Sequence, residues 1–513
     1  MTPVVARGSW ASCLLVTALA FTPIAAGWAF KTIVDPRPYW VLNYDPELAY
    51  FYSSLRLARG ERPLHVDHPG TPAQIVGAVL IKAGRVDDTL SVDRFRRMAY
   101  VATLILDFAA VVLLLRTLLA KLGPLTQIAA VWTYFAFPSA LAYMTIWATE
   151  SLFLFFGAIA LVFAWRFFDD PMPWSAFLFG ASVGACVALK FTFLPWVVAV
   201  VVTLLFGTRG PRTNRYRETL FAILGLCVGF LASTLPIWTQ FDRVFSWLWR
   251  VLSRSGQYGS GQRGWPGVGA VVANLRSFVA SAKGIHLWWL TALVVVWGAV
   301  IRSRREGHAI RRPLLATAIL ASTAMTASYV FTVRDLEMRY LLPAGLMGMV
   351  LFTMVWAIGL PRSPVMVEAM ASLGAGLLLG KALALDLALH VAVVSEGITI
   401  HNAVHAQLGQ AATGADPPIV IYSWRVPEPS FALRVEAGDD SFRDLISRRF
   451  PHDGDYDPWI REVHLPLGAN RWDFLVIRPA DWVDFPERGA RACRAVDGFL
   501  IVAAPHVGAR CST

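Results

Sequence analysis

Ser9-Trp-Ala-Ser-Cys-Leu-Leu-Val-Thr-Ala-Leu-Ala-Phe-Thr-Pro-Ile-Ala-Ala-Gly-Trp-Ala-Phe-Lys-Thr-Ile33 opens the chain on an apolar run long enough to cross a bilayer. It is too long for the core of a signal peptide and has no convincing small-residue cleavage site, so it reads as a spanning helix. Similar runs recur near 10–33, 98–119, 125–143, 148–167, 173–190, 193–206, 219–239, 285–301, 313–333, 340–360 and 366–394. About eleven transmembrane helices are therefore expected. Of the 513 residues 56% are hydrophobic and only 16% charged, with 20 Trp and 31 Phe. A soluble domain carries about one-quarter charged residues, so this composition excludes one and defines an α-helical polytopic membrane protein.

The net charge of +11, from 46 Lys+Arg against 35 Asp+Glu, would suggest nucleic acid in a soluble chain. Here much of it lies in short connections between apolar runs: Lys121, Arg166, Arg209 to Arg217, Arg302 to Arg312 and Arg362. Basic short loops mark the cytoplasmic face, so no nucleic-acid partner is expected and the amino terminus is placed in the cytoplasm. An odd number of spans then puts two hydrophilic connections, 34–97 and 240–284, on the extracytoplasmic side. Residues 1–395 form the membrane domain, and 396–513 follow as a soluble extracytoplasmic domain. In the latter, Pro418-Ile-Val-Ile-Tyr and Trp472-Asp-Phe-Leu-Val-Ile alternate with turn-rich segments, as short strands do, giving a small α/β or mostly β domain. Of five cysteines, Cys13, Cys186 and Cys227 lie in apolar runs, and only Cys493 and Cys511 are placed to pair. Arg outnumbers Lys by 40 to 6, a bias of GC-rich bacterial genomes, which points to a bacterial inner (plasma) membrane.

In the first outer loop, Asn43-Tyr-Asp-Pro-Glu-Leu-Ala-Tyr-Phe-Tyr-Ser-Ser-Leu-Arg-Leu-Ala-Arg-Gly60 has the form of a helix. Asp45 caps it, Pro46 takes its first position and Gly60 lies just past its end. Leu48, Phe51, Tyr52, Leu55 and Ala58 make an apolar stripe, with Arg56 and Arg59 off it, as in a helix lying on a membrane surface. From this window alone Asp45 is a simple N-cap or a functional carboxylate at the water–lipid boundary. The Pro-rigidified turn His65-Val-Asp67-His68-Pro69-Gly70-Thr71-Pro72 follows, and then a second amphipathic segment to about Ala83. Asp67 and His68 could bind phosphate, bind a divalent metal or share a proton; without i, i+4 spacing they are a weak metal signature.

Ionisable residues inside apolar segments usually face a cavity or a partner. Glu150 starts one span, Lys190 interrupts Gly184-Ala-Cys-Val-Ala-Leu-Lys-Phe-Thr-Phe-Leu-Pro195, and Arg339 precedes Tyr340-Leu-Leu-Pro343. Alternatives are an N-cap or a structural ion pair for Glu150, and snorkelling to the headgroups for Lys190 and Arg339. Asp107 lies deeper and suits a helix–helix contact. Carboxylates at Asp45, Asp67 and Glu150 and cations at Lys190, Arg334 and Arg339 would suit a lipid-borne phosphate. Cations hold the phosphate while a carboxylate takes a proton from an incoming hydroxyl.

These residues resemble those of the type-C (GT-C) polyprenyl-phosphate-sugar-dependent glycosyltransferases, which include protein O-mannosyltransferases, lipid A aminoarabinose transferase and arabinofuranosyltransferases. The likeness rests on Asp45-Pro-Glu-Leu-Ala-Tyr-Phe-Tyr, Asp67-His68-Pro69, the Trp147 to Phe153 turn, Gly180 to Lys190 and Arg339-Tyr-Leu-Leu-Pro343, in that order over roughly residues 10–360. It implies a GT-C bundle in which Asp45 is the catalytic carboxylate and His68, Lys190 and Arg339 bind the donor phosphate. Glu47, Asp67, Glu150, Arg334 and Tyr340 stand by in support. It further implies an inverting transfer of a monosaccharide from a polyprenyl-phosphate donor to a glycan, glycolipid or protein acceptor. No nucleotide is needed, and a divalent metal on Asp67 and His68, as near the donor phosphate in some members, stays open as a cofactor. Gly70 stands where the family has a second Pro, and Pro46 displaces the acid to Glu47. The Gly-rich second outer loop, with Tyr258, Arg263 and Trp265, is a candidate lid whose aromatics could stack on a sugar. The alternative reading is a transporter or flippase for a lipid-linked sugar. It would place its polar residues at a midplane site between matching halves, whereas here they gather toward one face.

Overall fold

The computed structural model describes residues 10–29, 47–66, 69–86, 91–120, 122–137, 140–144, 146–206, 212–254, 263–264, 266–281, 283–306, 310–333, 338–359, 365–411, 417–423, 427, 429, 432–433, 440–457, 462–465, 471–477, 491–496 and 499–504. Its helices are α1 (Trp10–Ala29), α2 (Glu47–Ala58), α3 (Thr71–Gly84), α4 (Val92–Arg116), α5 (Pro124–Phe135), α6 (Ala140–Met144), α7 (Phe153–Asp169), α8 (Pro173–Leu189) and α9 (Leu194–Phe206). They continue with α10 (Arg212–Ser233), α11 (Phe241–Ser253), α12 (Val268–Ser281), α13 (Lys283–Arg305), α14 (Arg312–Thr332), α15 (Leu342–Met354), α16 (Val365–Ala411) and α17 (Asp440–Arg449). Every expected span coincides with a helix or, for 125–143, with the pair α5 and α6. Among the described residues, seven helices are long and apolar enough to cross a membrane, and three more are apolar but shorter. The chain is a polytopic membrane protein with a small C-terminal domain. It divides into two compact units, one from Met1–Phe30, His65–Val76 and Ala99–Asp386, the other from Lys31–Leu64, Gly77–Met98 and Leu387–Thr513.

In the first unit α15 is the central helix: every residue from Leu342 to Met354 is buried, as expected of a helix apolar on all sides. Around it pack α5, α13 and α14, with α9 against α14 and α7 against α8. The tightest seam joins α8 to α10. Gly180 and Gly184 of α8 face the carbonyls of Ala222 and Leu226, and Gly225 and Gly229 of α10 face those of Phe177 and Ala181, so closely that a Cβ at any of the four would strike backbone. In lipid, where apolar side chains gain little by leaving their surroundings, such small-residue notches let backbones approach. Leu220, Ile223, Leu224 and Val228 on α10 stay exposed, the lipid-facing complement of that seam.

The second unit holds a six-stranded mixed sheet in the order β3-β2-β1-β4-β6-β5. Its strands are β1 (Val420–Ser423), β2 (Asp453–Asp457), β3 (Glu462–His464), β4 (Phe474–Ile477), β5 (Arg491–Val496) and β6 (Phe499–Ala503). β1 runs parallel to both β2 and β4, and the remaining pairs are antiparallel. Val420, Tyr422, Phe474 and Val476 on one face pack with Ile400, Val404 and Leu408 of α16. Ile421, Leu475 and Ile477 line the other face with Trp472 and Val502. Burial on both faces explains why β1 and β4 read as continuous apolar runs. The composition change at Glu396 falls inside α16, because a continuous helical backbone does not register what its side chains pack against. The same unit contains α2, whose residues Leu48 to Leu55 are all buried instead of only the stripe seen in sequence. Gly60, just past the end of α2, adopts φ +80°, the left-handed conformation a glycine accepts there at no steric cost.

Candidate active site

Three helix breaks in the first unit bring the site together. At the first, the 3-10 turn Glu150–Leu152 leads into α7, which places a carboxylate where the helix dipole favours an anion. At the second, α8 stops at Lys190, whose backbone is extended (φ −162°, ψ 139°). Its N–H still donates to the Cys186 carbonyl at 3.0 Å and its carbonyl accepts from Phe193 at 3.0 Å, so the break leaves neither group unpaired. At the third, the 3-10 turn Met338–Leu341 precedes α15 and carries Arg339 and Tyr340.

The side chains converge in a buried cluster. The Lys190 ammonium donates to Glu150 Oε1 in an ion pair, and Thr149 Oγ1 donates to Glu150 Oε2 at 2.8 Å. Lys190 Nζ and Arg339 Cζ lie 5.5 and 5.4 Å from the centre of the Tyr340 ring, within the range in which a cation is attracted to an aromatic face. Arg339 also acts electrostatically on Glu150. Lys190 is 4% and Arg339 8% exposed, so neither reaches out to headgroups. Among the described residues the Glu150 carboxylate meets two cations in an apolar setting, where charges are little screened.

From Lys190 and Tyr340 an apolar pocket of about 730 Å³, open mouth included, extends between three elements. Phe191, Leu194 and Pro195 supply the wall at the start of α9, Phe331 and Thr332 that of α14, and Trp247, Leu248 and Val251 that of α11. Trp247 stacks on Phe191 with ring centres 6.1 Å apart. Val244 packs with Val66 and Ile237, which anchors α11.

Of the residues singled out in the sequence, Glu150, Lys190, Arg339 and Tyr340 meet here. Asp45, Asp67, His68, Tyr258, Trp265 and Arg334 lie outside the described residues. Glu47 belongs to the second unit, where it pairs with Arg96 at 3.0 Å. Arg263 forms an isolated bridge with Arg254. Asp107 is fully buried, and among the described residues neither of its carboxylate oxygens has a hydrogen-bond partner. No group of three or more metal-ligating side chains occurs among the described residues. The wall contributed by α11 was missed, although Val244, Trp247, Leu248 and Val251 recur at i, i+3, i+4 and i+7.

Neither family models nor curated protein sequences match this chain. Among solved structures it is similar to ArnT from Cupriavidus metallidurans in the apo state, at a TM-score of 0.52 and 14% identity, over 97% of this chain and 99% of that chain. The likeness runs through both units and establishes the fold.

Proposed function

We propose that this chain is an inverting glycosyltransferase that moves a monosaccharide from a polyprenyl-phosphate donor to a cell-envelope glycan, lipid or protein acceptor on the extracytoplasmic side of a bacterial inner membrane. The observation that carries the reading is a buried cation, Lys190, at the head of an apolar pocket, with a second, Arg339, beside the Tyr340 ring that lines the same pocket. A lipid phosphate has this form: a charged head on an apolar tail. The similarity in fold to ArnT and the sequence resemblance to the type-C transferases support the same assignment.

In this mechanism Asp45 takes the proton of an acceptor hydroxyl as its oxygen forms a bond to the anomeric carbon. The bond from that carbon to the phosphate oxygen breaks in the same displacement, its electron pair leaves with the polyprenyl phosphate, and the anomeric configuration inverts. The donor is a singly charged phosphodiester, and the leaving group is a more highly charged monoester. The Lys190 and Arg339 cations therefore interact more strongly with the departing phosphate than with the intact donor. Such differential stabilisation lowers the barrier. Asp67 and His68 stand next to Pro69 as further phosphate or metal ligands.

The test is thermal unfolding of the purified protein with polyprenyl phosphate and with the uncharged polyprenol. Polyprenyl phosphate should raise the midpoint in a concentration-dependent way, and Arg339→Gln should abolish most of the rise. Equal stabilisation by the polyprenol would contradict a phosphate site.

A further inference from the structure

α11 has two apolar flanks, and one of them stays exposed. Successive residues step by about 100° around a helix, so Asp242, Ser246, Arg250 and Ser253 share one side and the apolar residues share the rest. On the inner flank Val244 is buried with Val66 and Ile237, and Trp247, Leu248 and Val251 line the pocket. On the outer flank Phe245 is 50% and Trp249 72% exposed. Along the chain these residues follow the exposed Leu235 and Trp238 and, before them, Leu224 and Val228 on the lipid-facing side of α10. A helix with this division of residues lies in the plane of a membrane surface. Over residues 240–266 the chain carries four arginines, Arg243, Arg250, Arg254 and Arg263, against a single acid, Asp242. All four are exposed. The bridge that sets Arg263 opposite Arg254 extends the basic side of α11 past the C-terminal end of the helix.

We propose that α11 is a docking surface for the anionic phospholipids of the bilayer: Phe245 and Trp249 enter the interface, and Arg243, Arg250, Arg254 and Arg263 hold the headgroup phosphates. Tryptophan favours the headgroup level of a membrane, and arginine lays its stem along apolar surface while its guanidinium pairs with phosphate. The excess of positive charge argues against a second copy of the chain as the occupant, because like faces would repel, and it complements an anionic headgroup. The same helix forms one wall of the pocket, so the lipid that holds α11 also holds Trp247, Leu248 and Val251 in place. The surface does not depend on what the pocket binds, and it is tested apart from the transferase reading.

The full-length protein, with p-benzoylphenylalanine in place of Trp249, is irradiated in nanodiscs of phosphatidylcholine with a minority of phosphatidylglycerol, and the adducts are identified by mass spectrometry. Lipid adducts should dominate. Among them phosphatidylglycerol should exceed its mole fraction by about fivefold or more, roughly what one arginine is worth at an anionic surface. The same probe in place of Leu224, on a stretch of α10 without charges, should report the two lipids at their mole fractions. Arg243→Gln combined with Arg250→Gln should bring the result at 249 down to that at 224, and so should high salt on the otherwise unchanged protein. Adducts at 249 to a second copy of the chain in place of lipid overturn the proposal. Phosphatidylglycerol at its mole fraction, or an excess that both the double variant and high salt leave untouched, overturns it equally.

Discussion

Replacing Glu150 by Gln should move stability and anion affinity in opposite directions. The carboxylate accepts from Lys190 and from Thr149, and the Lys190 side chain is 4% exposed against 0% for that of Glu150. Removing the negative charge leaves a largely buried ammonium without its counter-ion. Breaking a buried pair at one end costs about 3–5 kcal/mol, because an uncompensated charge stays behind. The same substitution removes the carboxylate that opposes Lys190, so a phosphate should bind more tightly and recover part of the lost stability. The assay is equilibrium unfolding in detergent of wild type, Glu150→Gln, and Glu150→Gln combined with Lys190→Met, each with and without polyprenyl phosphate. Glu150→Gln alone should be the least stable and the most strongly stabilised by the lipid. The double variant should regain much of the loss, since an apolar replacement of both partners leaves no orphaned charge. A Glu150→Gln protein as stable as wild type, or one that the lipid stabilises less than wild type, would refute the reasoning.

Gly184→Leu should destabilise the seam between α8 and α10 by about 1–3 kcal/mol and lower the yield of monodisperse protein on size exclusion, because its side chain meets the backbone of Leu226 and Phe230. Gly298→Ala on α13, where nothing lies within 4 Å of an added Cβ, should be neutral or stabilising by up to about 1 kcal/mol in the same comparison. Trp247→Ala removes part of the apolar wall of the pocket and should weaken binding of long-chain polyprenyl phosphate by about tenfold or more, with little effect on a short-chain analogue. The midpoint of lipid-dependent thermal stabilisation reads both ligands.

Hydropathy located the helices because span length is set by the bilayer, a constraint that acts residue by residue along the chain. Gly60 marked the end of α2, whereas the single span expected over 125–143 is divided into α5 and α6, with Pro138 in the sequence between them. Lys190 and Glu150 each stood out as a charge in an apolar run, but their pairing is a contact between helices 40 positions apart, and no local pattern states it. The wall supplied by α11 was legible in its i, i+3, i+4, i+7 stripe and was passed over in favour of the Gly-rich segment beyond it. The assignment of α2 to the same compact unit as the C-terminal sheet was not legible at all. Contacts such as that of Phe442 with Tyr52 join residues far apart in the chain, and a single aromatic on a polar helix gives no hint of its partner.

The most direct measurement of the central claim is mass spectrometry of the polyprenyl-phosphate lipids in cells carrying either the wild-type protein or Asp45→Asn at equal expression and folding. The account predicts that one polyprenyl-phosphate monosaccharide accumulates in the Asp45→Asn cells, which would also name the donor sugar. An unchanged lipid profile with the downstream glycan intact would contradict it.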